Sequence, residues 1–337
     1  MAKVLVTGSA GFIGFFLSQR LLDEGYDVVG FDALTDYYDV TLKKKRQDIL
    51  CQNAKFRPVN ARLEEDGVLH DLMGRERPDV IIHLAAQAGV RYSIENPRSY
   101  VDANLIGTFN LLEAVRAYPC SHMLMASTSS VFGANKEMPY AEAHKADTQM
   151  SFYAATKKAG EAMAHSYAHL YGMPITMFRF FTVYGPWGRP DMAHFKFTNA
   201  ILLNKPIDIY NHGDMRRDFT YIDDLIEAIW LLMGKAPELP GQRETEIGGD
   251  SISDVAPYRL VNIGNSEPVK LMDFIAAIED AIGEKAEKNF MEMQPGDVPA
   301  TWADASLLKA LTGYLPQVSV ADGVARFVSW YREYYGV

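Results

Sequence analysis

A short, mostly apolar run, Lys3-Val4-Leu5-Val6-Thr7, enters Gly8-Ser9-Ala10-Gly11-Phe12-Ile13-Gly14 and continues as a helical pattern through Leu17, Leu21 and Leu22. Strand, glycine turn and helix in that order leave few folds open, because glycine lets the chain reverse tightly and lets a ligand approach the backbone at the helix's positive end. A second strand, Asp27 to Phe31, ends at Asp32 and completes a βαβ unit. In such a unit a pyrophosphate lies over the first helix's N-terminus and a carboxylate farther on takes the ribose hydroxyls. Asp32 would accept both adenosine ribose hydroxyls and repel a 2′-phosphate, so the expected cofactor is NAD rather than NADP. The spacing is G-x-x-G-x-x-G, looser than the usual dinucleotide fingerprint, and a glycine turn with a capping aspartate would look the same in isolation. Gly8, Gly11, Phe12, Ile13 and Gly14 are the candidate cofactor cradle.

The alternation continues downstream. Val80 to Leu84, Met123 to Ala126 and Ile175 to Phe180 read as buried parallel strands, with a helical stretch from about Asn104 to Ala117 between the first two. Helices between parallel strands imply right-handed crossovers, hence an α/β fold with a Rossmann-type doubly wound sheet and a crevice beyond the strands' carboxyl ends. After Phe180 the turn-rich Gly185-Pro186-Trp187-Gly188-Arg189-Pro190 opens a smaller C-terminal α/β lobe for substrate. The expected division is 1–180 for the cofactor domain, with later returns near 217–236 and 259–265, and 181–216 with 237–337 for the lobe. Glu238 to Tyr258 reads as an exposed loop, and helical patterns near Asp273 to Ile282 and Asp322 to Tyr335 close the lobe.

Charge and cysteine usage narrow the partners. With 43 acidic against 33 basic residues the net charge is −10, which works against a sequence-independent grip on nucleic acid. Cys51 and Cys120 lie far apart in no metal-binding or redox spacing, and no charged leader or run of roughly twenty apolar residues is present. A cytoplasmic protein without a membrane or nucleic-acid partner is expected. His165 and His169 have the spacing of a helical metal pair but lack the intervening Glu and a third ligand, so no metal is expected.

Tyr153-Ala154-Ala155-Thr156-Lys157 opens a helix, where four residues bring phenol and ammonium within about 40° on one face. A neighbouring ammonium and an oxidised nicotinamide both favour phenolate, so Tyr153 is expected to accept a proton near neutral pH as a general base. Tyr-x-x-x-Lys is also common on ordinary amphipathic helices; its position after a dinucleotide fold gives it meaning. Ser127-Thr128-Ser129-Ser130 places hydroxyls at a strand's carboxyl end, although such clusters also serve as turn and cap residues.

With these residues in view, the chain resembles the extended short-chain dehydrogenase/reductases, and within them the nucleotide-sugar 4-epimerases. The likeness runs through Gly8 to Gly14, His83-Leu84-Ala85-Ala86, Asn104, Ser127 to Gly133, Tyr153 to Lys157, Arg217 to Asp224 and Gly296 to Asp304. The closest likeness is to UDP-glucuronate 4-epimerases, through Asp36-Tyr37-Tyr38-Asp39, Gln87 to Arg91 and Thr182 to Met192. The resemblance implies a tightly held NAD that removes hydride from C4 of a UDP-sugar while Tyr153 takes the hydroxyl proton, assisted by Thr128. The 4-keto sugar then turns and receives the hydride on its other face. Lys157 would hold the nicotinamide ribose, Asn104 would support the helix and an ordered water, and Leu84, Ala85, Ala86 and Ser127 would line the cofactor.

For the sugar nucleotide the resemblance implies Arg217 at the diphosphate, with Lys196 or Arg189 in the segment before it as further bases, Asp297 in the nucleotide-contacting segment, and Arg91 as another substrate-binding residue. A C4 ketone stands β to the C5 carboxylate, and such acids lose carbon dioxide readily. Ser129 and Ser130 stand where related dehydratases carry Asp-Glu and the decarboxylases carry Glu in the second place. Thr128, Ser129, Ser130 and Thr182 are therefore expected to hold the carboxylate by neutral hydrogen bonds, with Arg189 as charge partner. Arg62 and Gln294 depart from the family, standing where an adenine-contacting Asp and a diphosphate-binding Arg are common. A homodimer through a four-helix interface is implied by relatives. The rival readings are a neutral UDP-hexose 4-epimerase, a UDP-glucuronate decarboxylase and a non-catalytic cofactor-binding sensor.

Overall fold

A computed structural model of the chain describes residues 2–243 and 247–337. Among these, the first six strands are β1 (Lys3–Thr7), β2 (Asp27–Asp32), β3 (Phe56–Asn60), β4 (Val80–His83), β5 (His122–Thr128) and β6 (Ile175–Phe180). Those that follow are β7 (Thr182–Tyr184), β8 (Ile207–Ile209), β9 (Arg216–Tyr221), β10 (Tyr258–Ile263), β11 (Pro268–Lys270) and β12 (Lys288–Phe290). The large sheet runs β10-β6-β5-β4-β1-β2-β3, parallel throughout. Its order reverses between β1 and β4, where the connections leave to opposite faces and a crevice opens at the carboxyl ends.

Both faces of the sheet are covered, which is why its strands are apolar almost throughout. Val4, Val6, Val28, Ile82, Leu124 and Phe178 belong to one core cluster, together with Leu17 of helix Phe12–Asp23 and Leu225 of helix Ile222–Met233. Leu5, Val29, Ile81, Met123 and Met177 alternate with them into a second cluster against helices Val68–Glu76, Gly107–Ala117 and Phe152–Tyr171. Sequence patterning gives no sign of β3: Phe56 is buried but Arg57 and Pro58 are exposed. It is an edge strand, where a residue without an N–H is tolerated.

β7 pairs in parallel with β9, and β9 antiparallel with β11, in a three-stranded sheet, while β8 and β12 form a separate parallel pair. Helices Ala193–Leu202, Leu271–Ile282 and Val320–Tyr335 pack around them. The stretch expected as an exposed loop has no helix or strand in its described part before Tyr258, and residues 244–246 lie outside the described residues. Among the described residues no helix is long and apolar enough to cross a membrane.

Candidate active site

At the exit of β1 the backbone closes on itself. Gly8 N donates to Phe31 O at 2.7 Å and Gly11 N to Gly8 O at 2.9 Å. Gly8 sits at φ +76°, and a Cβ there would stand 2.8 Å from Ala85 N; one on Gly14 would stand 2.0 Å from Gly8 O. Only glycine satisfies both the left-handed backbone and the close approach. Asp32 at the end of β2 accepts from Ala10 N (3.0 Å) and Leu34 N (2.8 Å), which fixes its carboxylate beside the turn. Gly8, Gly11, Phe12, Ile13, Gly14 and Asp32 line a cavity of about 570 Å³. Leu84, Ala85 and Ala86 from the β4 exit line it as well, with Tyr153 and Lys157. A bare helix N-terminus, a carboxylate at the end of β2 and a volume suited to a cofactor fit a dinucleotide. Arg62, one of the departures from the family, also lines this cavity, with Nη1 3.1 Å from Glu64.

Ser151 caps the helix Phe152–Tyr171 by accepting from Ala154 N at 3.1 Å, which presents Tyr153 and Lys157 at the crevice. Lys157 Nζ donates to Ala126 O at 2.7 Å. Burial pulls its pKa down to about 8, partly offset by the Glu161 carboxylate one turn along. Tyr153 packs edge-on against Tyr100, with ring centroids 6.0 Å apart. Its phenol is pushed above the ordinary value by burial, with the Thr128 hydrogen bond and the Arg189 charge pulling the other way. Burial outweighs these two groups around the ring, so the nicotinamide charge counted in the expectation, and not the protein groups alone, is what would favour a phenolate.

Two further expected residues have partners that the sequence does not disclose. Ser127 lines the cavity, but its hydroxyl donates to Glu161 Oε1 at 2.7 Å. Glu161 is held by Arg179 through Nε (2.8 Å) and Nη2 (2.9 Å), and by Lys158 at 2.9 Å. Asn104 stays out of the cavity. It sits in a π-helical turn, Val101–Ile106, accepting from Gln87 N at 2.8 Å and donating to Gln87 O and Thr156 Oγ1, both at 3.0 Å. It therefore ties the β4 exit loop to the helix carrying Tyr153.

A second cavity of about 800 Å³ adjoins the first, and Tyr37, Thr128, Tyr153, Phe181, Arg189 and Met192 line both. Ser129, Ser130 and Thr182 lie in its wall, with Arg91, Lys196, Arg217 and Asp297. Thr128 donates to Ser130 Oγ at 3.3 Å and accepts from Ser130 N at 3.2 Å. Arg91 Nη2 pairs with Asp297 at 3.0 Å, and its guanidinium lies 4.5 Å from the Tyr210 ring centre. Arg217 Nη1 donates to Arg216 O at 2.9 Å. Arg189 is already engaged: Nε and Nη2 bind Asp191 at 3.0 and 2.6 Å, and Tyr37 OH donates to the same carboxylate at 3.1 Å. Burial opposes the Arg189 charge, but Asp191 outweighs it and raises the pKa, so the guanidinium stays charged beside Tyr153. Asp191 takes one edge of the fork, Nε and Nη2, and leaves Nη1 outside that pair.

Sequence reasoning missed Asp191, Tyr37, Glu161 and Arg46. The signals were present for the first two in Arg189-Pro190-Asp191 and Asp36-Tyr37-Tyr38-Asp39, but neither motif discloses a partner across the crevice. His165 Nε2 meets Ser253 Oγ at 2.8 Å and His169 Nδ1 meets Val255 O at 2.7 Å. Among the described residues no His, Cys, Asp and Glu group is arranged to hold a metal ion. What this site can do follows from Tyr153: one phenol, shared by two cavities, can exchange a proton with a ligand in the second beside a ligand in the first.

Residues 5–327 match the GDP-mannose 4,6 dehydratase family. A probable UDP-glucuronate 4-epimerase of Rhizobium meliloti is 56% identical over 333 residues, covering 99% of this chain and 98% of that one. UDP-glucuronate 4-epimerase 1 of Arabidopsis thaliana is 44% identical, covering 99% of this chain and 77% of that one. The crystal structure of UDP-glucuronic acid 4-epimerase from Bacillus cereus, in complex with UDP-glucuronic acid and NAD, superposes with a TM-score of 0.88 at 35% identity, covering 99% of this chain and 100% of that one.

Proposed function

The chain belongs to the GDP-mannose 4,6 dehydratase family, a branch of the extended short-chain dehydrogenase/reductases, and on that footing we propose that it is an NAD-dependent isomerase. It inverts C4 of UDP-glucuronate to give UDP-galacturonate through a transient 4-keto sugar, without loss of the carboxylate. The observation that carries this reading is the shared wall in which Tyr153, Thr128 and Arg189 face both cavities. The first cavity takes NAD, with the glycine turn at the pyrophosphate, Asp32 at the adenosine ribose and Lys157 at the nicotinamide ribose. When bound, the nicotinamide supplies a reversible hydride acceptor at C4 and a positive charge close to the phenol.

Tyr153 takes the proton from the C4 hydroxyl and returns it after the sugar has turned over. Thr128 holds the phenolic oxygen and so lowers the cost of its charged form. Arg217, Lys196 and Arg91 bind the diphosphate, the anchor about which the keto sugar rotates, and Asp297 receives a nucleotide hydroxyl once Arg91 is drawn to phosphate. Thr128, Ser129, Ser130 and Thr182 solvate the acid group with neutral hydroxyls while Arg189 Nη1 supplies a charge. A hydrogen-bonded carboxylate keeps its electrons, whereas a bare one in a dry pocket would release carbon dioxide from the β-keto acid.

The division into cofactor domain and substrate lobe set out from the sequence belongs to the same proposal, as does a homodimer working in the cytoplasm. Helices Gly107–Ala117 and Phe152–Tyr171 expose Phe109, Phe152, Leu170 and Tyr171, which a second copy would cover. Incubating the protein with NAD and UDP-glucuronate and following the products by NMR tests the function. UDP-galacturonate is expected; UDP-xylose or unchanged substrate would refute it.

A further inference from the structure

Arg46, on helix Val40–Leu50, has none of its surface exposed. Its Nη1 donates to Ala10 O at 3.0 Å and Tyr38 OH at 2.8 Å. Its Nη2 donates to Trp187 O and to Gly188 O, the latter at 3.2 Å. Among the described residues no carboxylate forms an ion pair with it, and its Nε has no hydrogen-bond partner. A guanidinium buried among neutral oxygens is costly compared with an apolar side chain of similar size, so stability gives no reason for its presence. Its contacts supply one. Ala10 belongs to the glycine turn, Tyr38 to the segment after Asp32, and Trp187 and Gly188 immediately precede Arg189.

Trp187 is held from the other side as well. Its ring lies 5.7 Å from Phe15, 5.4 Å from Trp330 and 5.1 Å from Tyr334, the last two on the C-terminal helix Val320–Tyr335. Its backbone sits at φ +57°, a conformation that bulky side chains rarely adopt and that persists only where the surroundings over-determine it. Two residues later, the Arg189–Asp191 fork and Tyr37 complete the connection across the crevice.

We propose that Arg46 and the aromatic socket of Trp187 form a clasp that positions Arg189 for the acid group of the sugar. Arg46 is a positioning residue: it touches neither cavity wall's ligand directly but fixes the backbone from which Arg189 projects. This rests on the reading that Arg189 faces the sugar carboxylate, so the test compares ligands that differ only there.

Binding of UDP-glucuronate and UDP-glucose is measured by calorimetry on the NAD-loaded protein, the Arg46→Lys variant and the Trp330→Ala variant. Arg46→Lys keeps the buried charge but loses the fork, and Trp330→Ala loosens the socket from a helix far from the sugar. Each is expected to weaken UDP-glucuronate about ten-fold and UDP-glucose less than about two-fold, a ten-fold loss being what one well-placed charged hydrogen bond is worth. Equal effects on both ligands, or none, in a variant that still folds would overturn the clasp and leave a purely structural arginine. If the unaltered protein itself shows no preference for the acid sugar, the fault lies in the functional reading, and the clasp falls with it.

Discussion

Replacing Tyr153 with phenylalanine removes one oxygen and little else. The ring keeps its edge contact with Tyr100, and Lys157 keeps its bond to Ala126 O, because neither involves the hydroxyl. The lost Thr128 hydrogen bond should cost about 1 kcal/mol of stability at most, since the site is partly open and Thr128 retains Ser130. Catalysis should lose far more, because a positioned proton acceptor contributes about 10²–10⁴-fold, or roughly 3–5 kcal/mol of barrier. The assay is kcat for UDP-glucuronate turnover by NMR, beside NAD affinity and the urea midpoint of the same preparation. Expected are a rate lower by at least about 10²-fold, unchanged NAD affinity and a barely shifted midpoint. A loss of less than about ten-fold would mean that another group takes the C4 proton; a parallel loss of NAD would mean that the hydroxyl holds the cofactor.

Glu161→Ala should lower stability by about 3–5 kcal/mol in urea unfolding, because it strands the buried Arg179, while Glu161→Gln recovers part of the loss. Ser130→Glu places a carboxylate where the proposed site has a neutral hydroxyl; NMR should show UDP-pentose among the products, and an unchanged product ratio would undermine the account of restrained decarboxylation. Lys157 titrates near 8 in the folded protein and near 10.4 in an unfolded chain, so between these values the unfolded state holds the extra proton. Stability of the cofactor-free protein should rise with pH across that window, and the rise should be smaller in Lys157→Met by urea titration at fixed pH steps.

The parts legible in the sequence were local ones. Gly8 to Gly14, Asp32 and the Tyr153/Lys157 pair each announce their geometry within one turn or one strand exit, and the βαβ alternation orders the sheet around them. β3 escaped because an edge strand containing Pro58 and two exposed residues carries no apolar signal. Ser127 and Thr128 stand side by side in a row of hydroxyls, and because successive strand residues point to opposite faces, Ser127 meets Glu161, which the row does not disclose, while Thr128 meets Tyr153. Arg46 closes a run of four basic residues, and its burial depends on chain that the local pattern does not disclose, Ala10 from 36 residues before it and Trp187 from 141 residues after. Arg189 was legible as a charge at the crevice but not as one already shared with Asp191, because side-chain pairing depends on the turn between them.

The central claim is that hydrogen leaves C4 and returns to C4 inside one closed site, with Tyr153 moving only the proton. It is tested most directly with UDP-glucuronate deuterated at C4, turned over in ordinary water, with the UDP-galacturonate isolated and examined by mass spectrometry and NMR. Full retention of deuterium at C4 of the product is the expected result. Deuterium lost to solvent, or found at another carbon, would contradict it.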